Sequence, residues 1–154
     1  MNALKIEIDD LSNPEVINFL TEHLQHMIQV TPPGYVHALD IEALRNPEIT
    51  FWTVWEGELL LCCGALKKLN PEHAELKSMR TTPTHLGKGI ASFLLNHILS
   101  KAKELNYQKI YLETGSYEVF QPARKLYEKF GFTYCEPFAD YKESVNSVYM
   151  SVDL

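Results

Sequence analysis

The stretch LGKGIASFLLNHIL, Leu86 to Leu99, constrains the fold more than any other part of the chain. Two glycines, Gly87 and Gly89, stand where a polar run gives way to an apolar run with helical spacing. Glycine costs conformational entropy inside a helix, so a pair at this junction points to a backbone geometry that residues with a Cβ adopt poorly. Beyond it Ile90, Ala91, Leu94, Leu95, Ile98, Ala102 and Leu105 form one stripe, and Ser92, Asn96, Ser100, Lys103 and Glu104 take the other face. A helix N-terminus presents unpaired N–H groups and a partial positive charge, which makes it a natural seat for an anion such as phosphate. Lys88 adds a cation. An ordinary strand-to-helix turn is the other reading of the same residues.

Two phosphate motifs compete for this turn. A P-loop requires a glycine at position 82 and Ser or Thr after the lysine, whereas Thr82 and Gly89 occupy those places. The dinucleotide fingerprint fits better, because Gly87, Gly89 and Ser92 nearly match it and Glu113 ends the next strand. However, the run from Thr81 to Leu86 separates strand from glycines, and AELKSM is too polar for a central parallel strand. Nicotinamide-dinucleotide binding therefore ranks well behind.

The rest of the chain reads as one mixed α/β domain, residues 1–154, with no internal repeat or interdomain linker. LKIEID alternates as a first strand. Asn13 caps a helix with Pro14 at its start and Val16, Phe19, Leu20, Leu24, Met27 and Ile28 on one face. TPPGY stops it, and a short helix follows at Ile41 to Arg45. Two β-rich runs around Glu56-Gly57 predict a hairpin, and HAELKSMRTT closes an antiparallel meander. In that last strand Leu76 and Met79 are three apart, which predicts a β-bulge between Lys77 and Arg80 unless Met79 faces a second buried side. KIYLET is a further strand, FQPARKLYEKFGF a helix stopped by Gly131, and SVYMSVDL a closing strand in a last hairpin.

The formal net charge of −6 argues against a nucleic-acid partner and mildly favours neutral or cationic ligands. No run reaches the length of a membrane span, and MNALKIEIDD lacks a signal-peptide pattern. Cys62 and Cys63 sit in an apolar run and Cys135 stands alone, which fits core residues in a reducing cytoplasm rather than a disulfide framework. His23 and His26 are close enough to share a metal but lack further ligands, so no metal is expected.

At the glycine turn and the last helix the chain resembles the GNAT superfamily of acetyl-CoA-dependent N-acetyltransferases, and looks most like a small bacterial branch of it. That family carries Gln or Arg, two residues, Gly, one residue, then Gly or Ala; here Gly89 and Ala91 match and Leu86 replaces the first residue. Its A-x-x-L-Y-x-x-x-G-F helix is matched by Ala123, Leu126, Tyr127, Gly131 and Phe132. The resemblance spans nearly the whole chain. It implies a mostly antiparallel central sheet with a parallel pair at the cofactor cleft, helices on both faces, and a bulge before the pyrophosphate turn.

The resemblance also implies roles. Acetyl-CoA would be held by Met79, Arg80 and Thr81 at the bulge, and by Leu86, Gly87, Lys88, Gly89, Ile90, Ala91 and Ser92 at the turn. Phe120 stands where many members have a cofactor-contacting Asn, so Thr114 or Ser116 would supply that contact. Tyr127 matches the family's general acid, although its apolar neighbours equally fit a core Tyr. Glu75 lies where some members place a general base, or is a solvent-facing partner of Lys77, and Glu113 is the alternative base acting through water. Tyr35, His37, Asp140 and Tyr141 are candidate acceptor-lining residues. The expected reaction is direct acetylation of a small-molecule or peptide amine in a ternary complex, in the cytoplasm, with closing strands suited to pairing in a homodimer. A non-catalytic acyl-CoA-binding module is the alternative.

Overall fold

The computed structural model describes residues 3–32 and 41–154. In it the chain forms a seven-stranded sheet between two helical layers. The strands are β1 (Leu4–Ile8), β2 (Ile49–Glu56), β3 (Leu59–Lys68), β4 (His73–Thr81), β5 (Lys109–Gly115), β6 (Thr133–Cys135) and β7 (Ser147–Asp153). Their spatial order is β1-β2-β3-β4-β5-β7-β6, and only β4 and β5 run parallel. The helices are α1 (Pro14–Val30), α2 (Ile41–Leu44), α3 (Ile90–Glu104) and α4 (Gln121–Lys129).

Local signals set the element boundaries. Asn13 accepts a hydrogen bond from the Glu15 N–H at 2.9 Å and caps α1. Gly57, at φ +60°, turns the β2–β3 hairpin. Gly131, at φ +92°, ends α4, and the Phe132 N–H returns to the Tyr127 carbonyl at 3.1 Å.

Strand alternation feeds two cores. On one face Trp52, Val54, Cys62, Leu66, Ala74, Leu76, Ile110, Leu112 and Met150 pack under the α3 stripe and the inner side of α4. On the other face Phe51, Cys63 and Ala65 meet Val16, Leu20 and Leu44 of α1 and α2. Cys62 and Cys63 are fully buried, one in each core, and all three cysteines are free thiols. The apolar face expected along α1 closes only over its first half. Leu24 and Met27 are half-buried and Ile28 is exposed.

The expected bulge is present. Lys77 pairs with Ala65 and Arg80 with Cys63, so Ser78 and Met79 together oppose Gly64. Ser78 takes the left-handed conformation at φ +58°. The extra residue returns Met79 to the α3 face beside Leu76, which resolves the three-residue spacing. Gly64 is needed there because a Cβ would meet Met79 Sδ at 2.4 Å and Ile98 Cδ1 at 3.1 Å. Gly64→Ala should therefore destabilise the fold by about 1–3 kcal/mol through overpacking. Urea denaturation checks this, and adding Met79→Ala should recover part of the loss.

Candidate active site

β4 and β5 pair only from His73↔Lys109 to Leu76↔Leu112. Beyond that point β4 bends at its bulge, and β5 continues toward Gly115 paired with β7 but no longer with β4. The β5-facing N–H and C=O groups of β4 from Lys77 onward then have no strand partner, and buried backbone polar groups rarely stay unpaired. The gap opens a cleft of about 530 Å³ that reaches both faces of the sheet.

The α3 start forms one wall. Gly87 and Gly89 lie at φ +76° and +79°, and a Cβ at either would meet nothing within 4 Å. The glycines are therefore required by backbone conformation, and the space in front of them is open. The first helical bond runs from the Phe93 N–H to the Gly89 carbonyl at 3.0 Å, leaving the Ile90, Ala91 and Ser92 N–H groups without intrahelical acceptors. An open, positively polarised helix start of this kind binds phosphate oxygens well. Lys88 and Leu86 are exposed beside it, Leu86 in the cleft lining and Lys88 outside it.

The opposite wall comes from β5 and α4. Glu113, Thr114 and Tyr127 line the cleft, and Tyr127 is 7% exposed. Its ring packs against Phe132 at 5.8 Å, and its hydroxyl makes no hydrogen bond among the described residues. Burial pushes the phenol well above its ordinary pKa, with Cys62 and Glu113 nearby adding to the effect. Tyr127 is thus both a core residue and a cleft residue. Burial raises the Glu113 carboxyl to about 7, against the pull of the Ser147 hydroxyl and the Lys77 ammonium.

Glu75 departs from its solvent-facing alternative: it is 3% exposed. Its Oε2 accepts from Lys77 Nζ at 3.0 Å and from Tyr141 Oη at 2.7 Å, and Lys77 Nζ also donates to Tyr141 Oη at 2.9 Å. Tyr141 belongs to an aromatic group with Phe138 and Tyr149 that roofs this face, Phe138 stacking on Tyr111 at 4.9 Å.

Met79, Arg80, Thr81, Ile90, Ala91 and Ser92 join Glu75, Glu113, Thr114 and Tyr127 around the cleft. Ser116 lies outside its lining and donates to the Val145 carbonyl, and Asp140 is exposed in the 136–146 loop. Tyr35 and His37 lie outside the described residues. Sequence reasoning missed the α1 contribution: His23, His26 and Met27 form part of the lining. The signal was there, three residues on one helical face, but the face reads as core. His23 and His26 gain no third metal ligand among the described residues. Phe120, at the substituted Asn position, packs its ring on Gly115, where a Cβ would meet Phe120 Cδ2 at 2.1 Å. Arg124 Nη1 fixes that corner by donating to the Gly115 and Tyr117 carbonyls at 2.7 and 2.8 Å.

The sequence profile of the acetyltransferase (GNAT) family matches residues 13–132. The chain belongs to the GNAT family. It is accordingly an N-acetyltransferase that uses acetyl-CoA. It is 54% identical over 151 residues to YsnE of Bacillus subtilis, an uncharacterised N-acetyltransferase, covering 98% of this chain and 100% of that one. It is 48% identical over 149 residues to the similarly described YedL of Escherichia coli, covering 97% and 94%. Among solved structures, a Bacillus subtilis acetyltransferase in complex with CoA superposes with a TM-score of 0.67 at 22% identity, with 99% of each chain covered. That likeness confirms the GNAT fold: a mostly antiparallel sheet, one parallel pair and helices on both faces. No helix among the described residues is long and apolar enough to cross a membrane.

Gly89→Ala tests the strained turn. A non-glycine residue in the left-handed region costs about 1–2 kcal/mol, which for a domain of this size lowers Tm by roughly 2–8 °C. The stabilisation that acetyl-CoA gives in the same thermal melt should shrink as well.

Proposed function

We propose that this GNAT enzyme acetylates a primary amine by direct attack in a ternary complex. The observation that carries the reading is a pair of titratable groups held apart in character within one cleft: Glu113 poised near neutrality and Tyr127 held protonated. A lysine-like ammonium, with a pKa of about 10.4, must lose a proton before it can attack. Glu113 takes that proton, directly or through water, because a base titrating near 7 suits neutral pH. Glu75 is less accessible to an incoming amine, since Lys77 and Tyr141 already hold its Oε2; its role is to fix the floor beside Glu113.

The turn from Gly87 to Ser92 holds the pyrophosphate, with the Lys88 side chain adding charge at its rim. The open space before both glycines and the unpaired N–H groups behind them fit that group. When bound, acetyl-CoA supplies the acetyl group as an activated thioester. A β5-facing N–H group of β4 near Met79 to Thr81 donates to the acetyl oxygen and stabilises charge developing there. Tyr127 Oη carries the proton for the departing sulfur. Thr114 lines the side where Phe120 replaces the usual Asn. Burial raises the Cys62 thiol to about 11 and pushes Cys63 well above its ordinary value, so both stay protonated, which favours direct attack over a cysteine-bound intermediate.

The three free thiols support a reducing, cytoplasmic setting. For assembly, Tyr134 on the edge strand β6 and Val145 beside it are both exposed, which supports a homodimer formed at that edge.

Tyr127→Phe should lower kcat for acetylation of a primary-amine panel by roughly 10²–10⁴-fold, while acetyl-CoA affinity by calorimetry stays the same. An unchanged rate would remove the general-acid role. For Glu113, wild-type kcat/KM should fall as pH drops below about 7, and Glu113→Gln should lose both activity and that limb. The sign for stability is opposite to that of a salt-bridged carboxylate. A carboxyl raised in the folded state binds its proton more tightly there, so its contribution is lost as pH rises through about 7. Glu113→Gln should therefore melt no lower than wild type at alkaline pH.

A further inference from the structure

The α1 side of the cleft carries a charge that no described residue answers. Arg80 leaves β4 on the face opposite α3, and its guanidinium lies over the Phe19 ring at 5.4 Å from the centroid. Its Nε is buried without a hydrogen-bond partner, and so is Nδ1 of His23, one turn further along α1. Among the described residues Arg80 enters no ion pair. Lys77, the other cation of this cleft, is matched by Glu75 and Tyr141. Burial and the neighbouring guanidinium push the His23 imidazole down to about 4, so it stands neutral beside Arg80. The site therefore offers a single unmatched guanidinium, seated on an aromatic ring and flanked by a neutral hydrogen-bonding ring.

Unpaired buried polar groups are costly, and a recurrent pair in a cleft wall calls for a partner from outside the chain. A planar guanidinium fork matches a carboxylate in two parallel hydrogen bonds. The opposite sheet face carries the α3 turn, so this cation is separate from the pyrophosphate seat. Glu113 lies across the same cleft. We propose that Arg80, with Phe19 and His23, binds the carboxylate of the acceptor, so that the enzyme acetylates amino acids rather than simple amines or polyamines. The amine of such an acceptor points to Glu113 and its carboxylate to Arg80. A polyamine would instead place a second cation against the guanidinium.

This inference rests on the acetyl-transfer reading above, and its test separates the two. Binding is read by NMR on the whole enzyme, following the Arg80 Nε–H and His23 ring resonances. The probes are N-acetyl derivatives of the common α-amino acids and, as neutral matches, the corresponding N-acetyl amides. Carboxylate probes should shift both resonances and bind roughly 10- to 100-fold more tightly than the amides, and Arg80→Gln should erase that preference while Arg80→Lys restores part of it. The same ratio should appear in kcat/KM for free amino acids against their amides. Equal binding of carboxylate and amide in the wild-type enzyme, or carboxylate binding that leaves Arg80 undisturbed, overturns the proposal without needing any variant. Carboxylate selectivity that persists while Tyr127→Phe and Glu113→Gln leave turnover intact would instead sink the acid–base assignment alone.

Discussion

The fold depends on one broken ladder. β4 and β5 share only four residue pairs, and the extra residue at Ser78–Met79 directs β4 back to β3 while β5 keeps to β7. A sheet that stayed paired there would seal its two faces from each other. Because it parts, the cleft is lined from both the α3–α4 side and the α1 side, and on the proposed reading cofactor and acceptor would meet through the sheet. The backbone groups exposed by the parting lie at that meeting point. Packing secures the bulge: Met79 fills the space that Gly64 vacates, so the kink is locked from beneath by the α3 core.

Much of this was legible in the sequence because it rests on local rules. The glycine pair announced a left-handed turn, and Asn13 and Gly131 marked helix ends. The Leu76–Met79 spacing exposed the bulge, since a strand's period of two leaves no other economical way to bury both residues on one face. The helix motif around Tyr127 was readable for a related reason. Its Gly and Phe close the α4 terminus and pack on the Tyr ring, so the pattern records structure as well as chemistry.

What stayed hidden depended on long-range placement. The position of β7 between β5 and β6 decides that Ser147 and Tyr149 stand beside Glu113, and no local pattern in SVYMSVDL encodes it. Glu75 read as half solvent-facing because alternation gives a residue's face and not what covers that face; the Phe138–Tyr141–Tyr149 roof comes from the loop before β7 and from β7 itself, 60 or more residues away. The far half of α1 was misread as core for the converse reason. Its apolar face is present, but the sheet beneath it has already parted, so Met27 and His23 look into the cleft.

Net charge is a coarse guide to what a cleft attracts. A chain at −6 suggests a taste for cations, yet long-range fields are screened within about 10 Å at ordinary ionic strength. Inside a cleft the nearest few groups decide. There the two acids are largely spoken for: buried Glu75 is bonded to Lys77 and Tyr141, and partial burial keeps Glu113 partly protonated near neutral pH. Arg80 has no such match among the described residues, so the local balance on the α1 side is positive while the molecule as a whole is negative. On the proposed reading, the same burial that suits Glu113 to act as a base near neutral pH would also remove much of the negative charge that repels an anionic acceptor. On that reading base strength and acceptor charge would trace to one cause, the depth at which β5 carries Glu113 beside its aromatic roof.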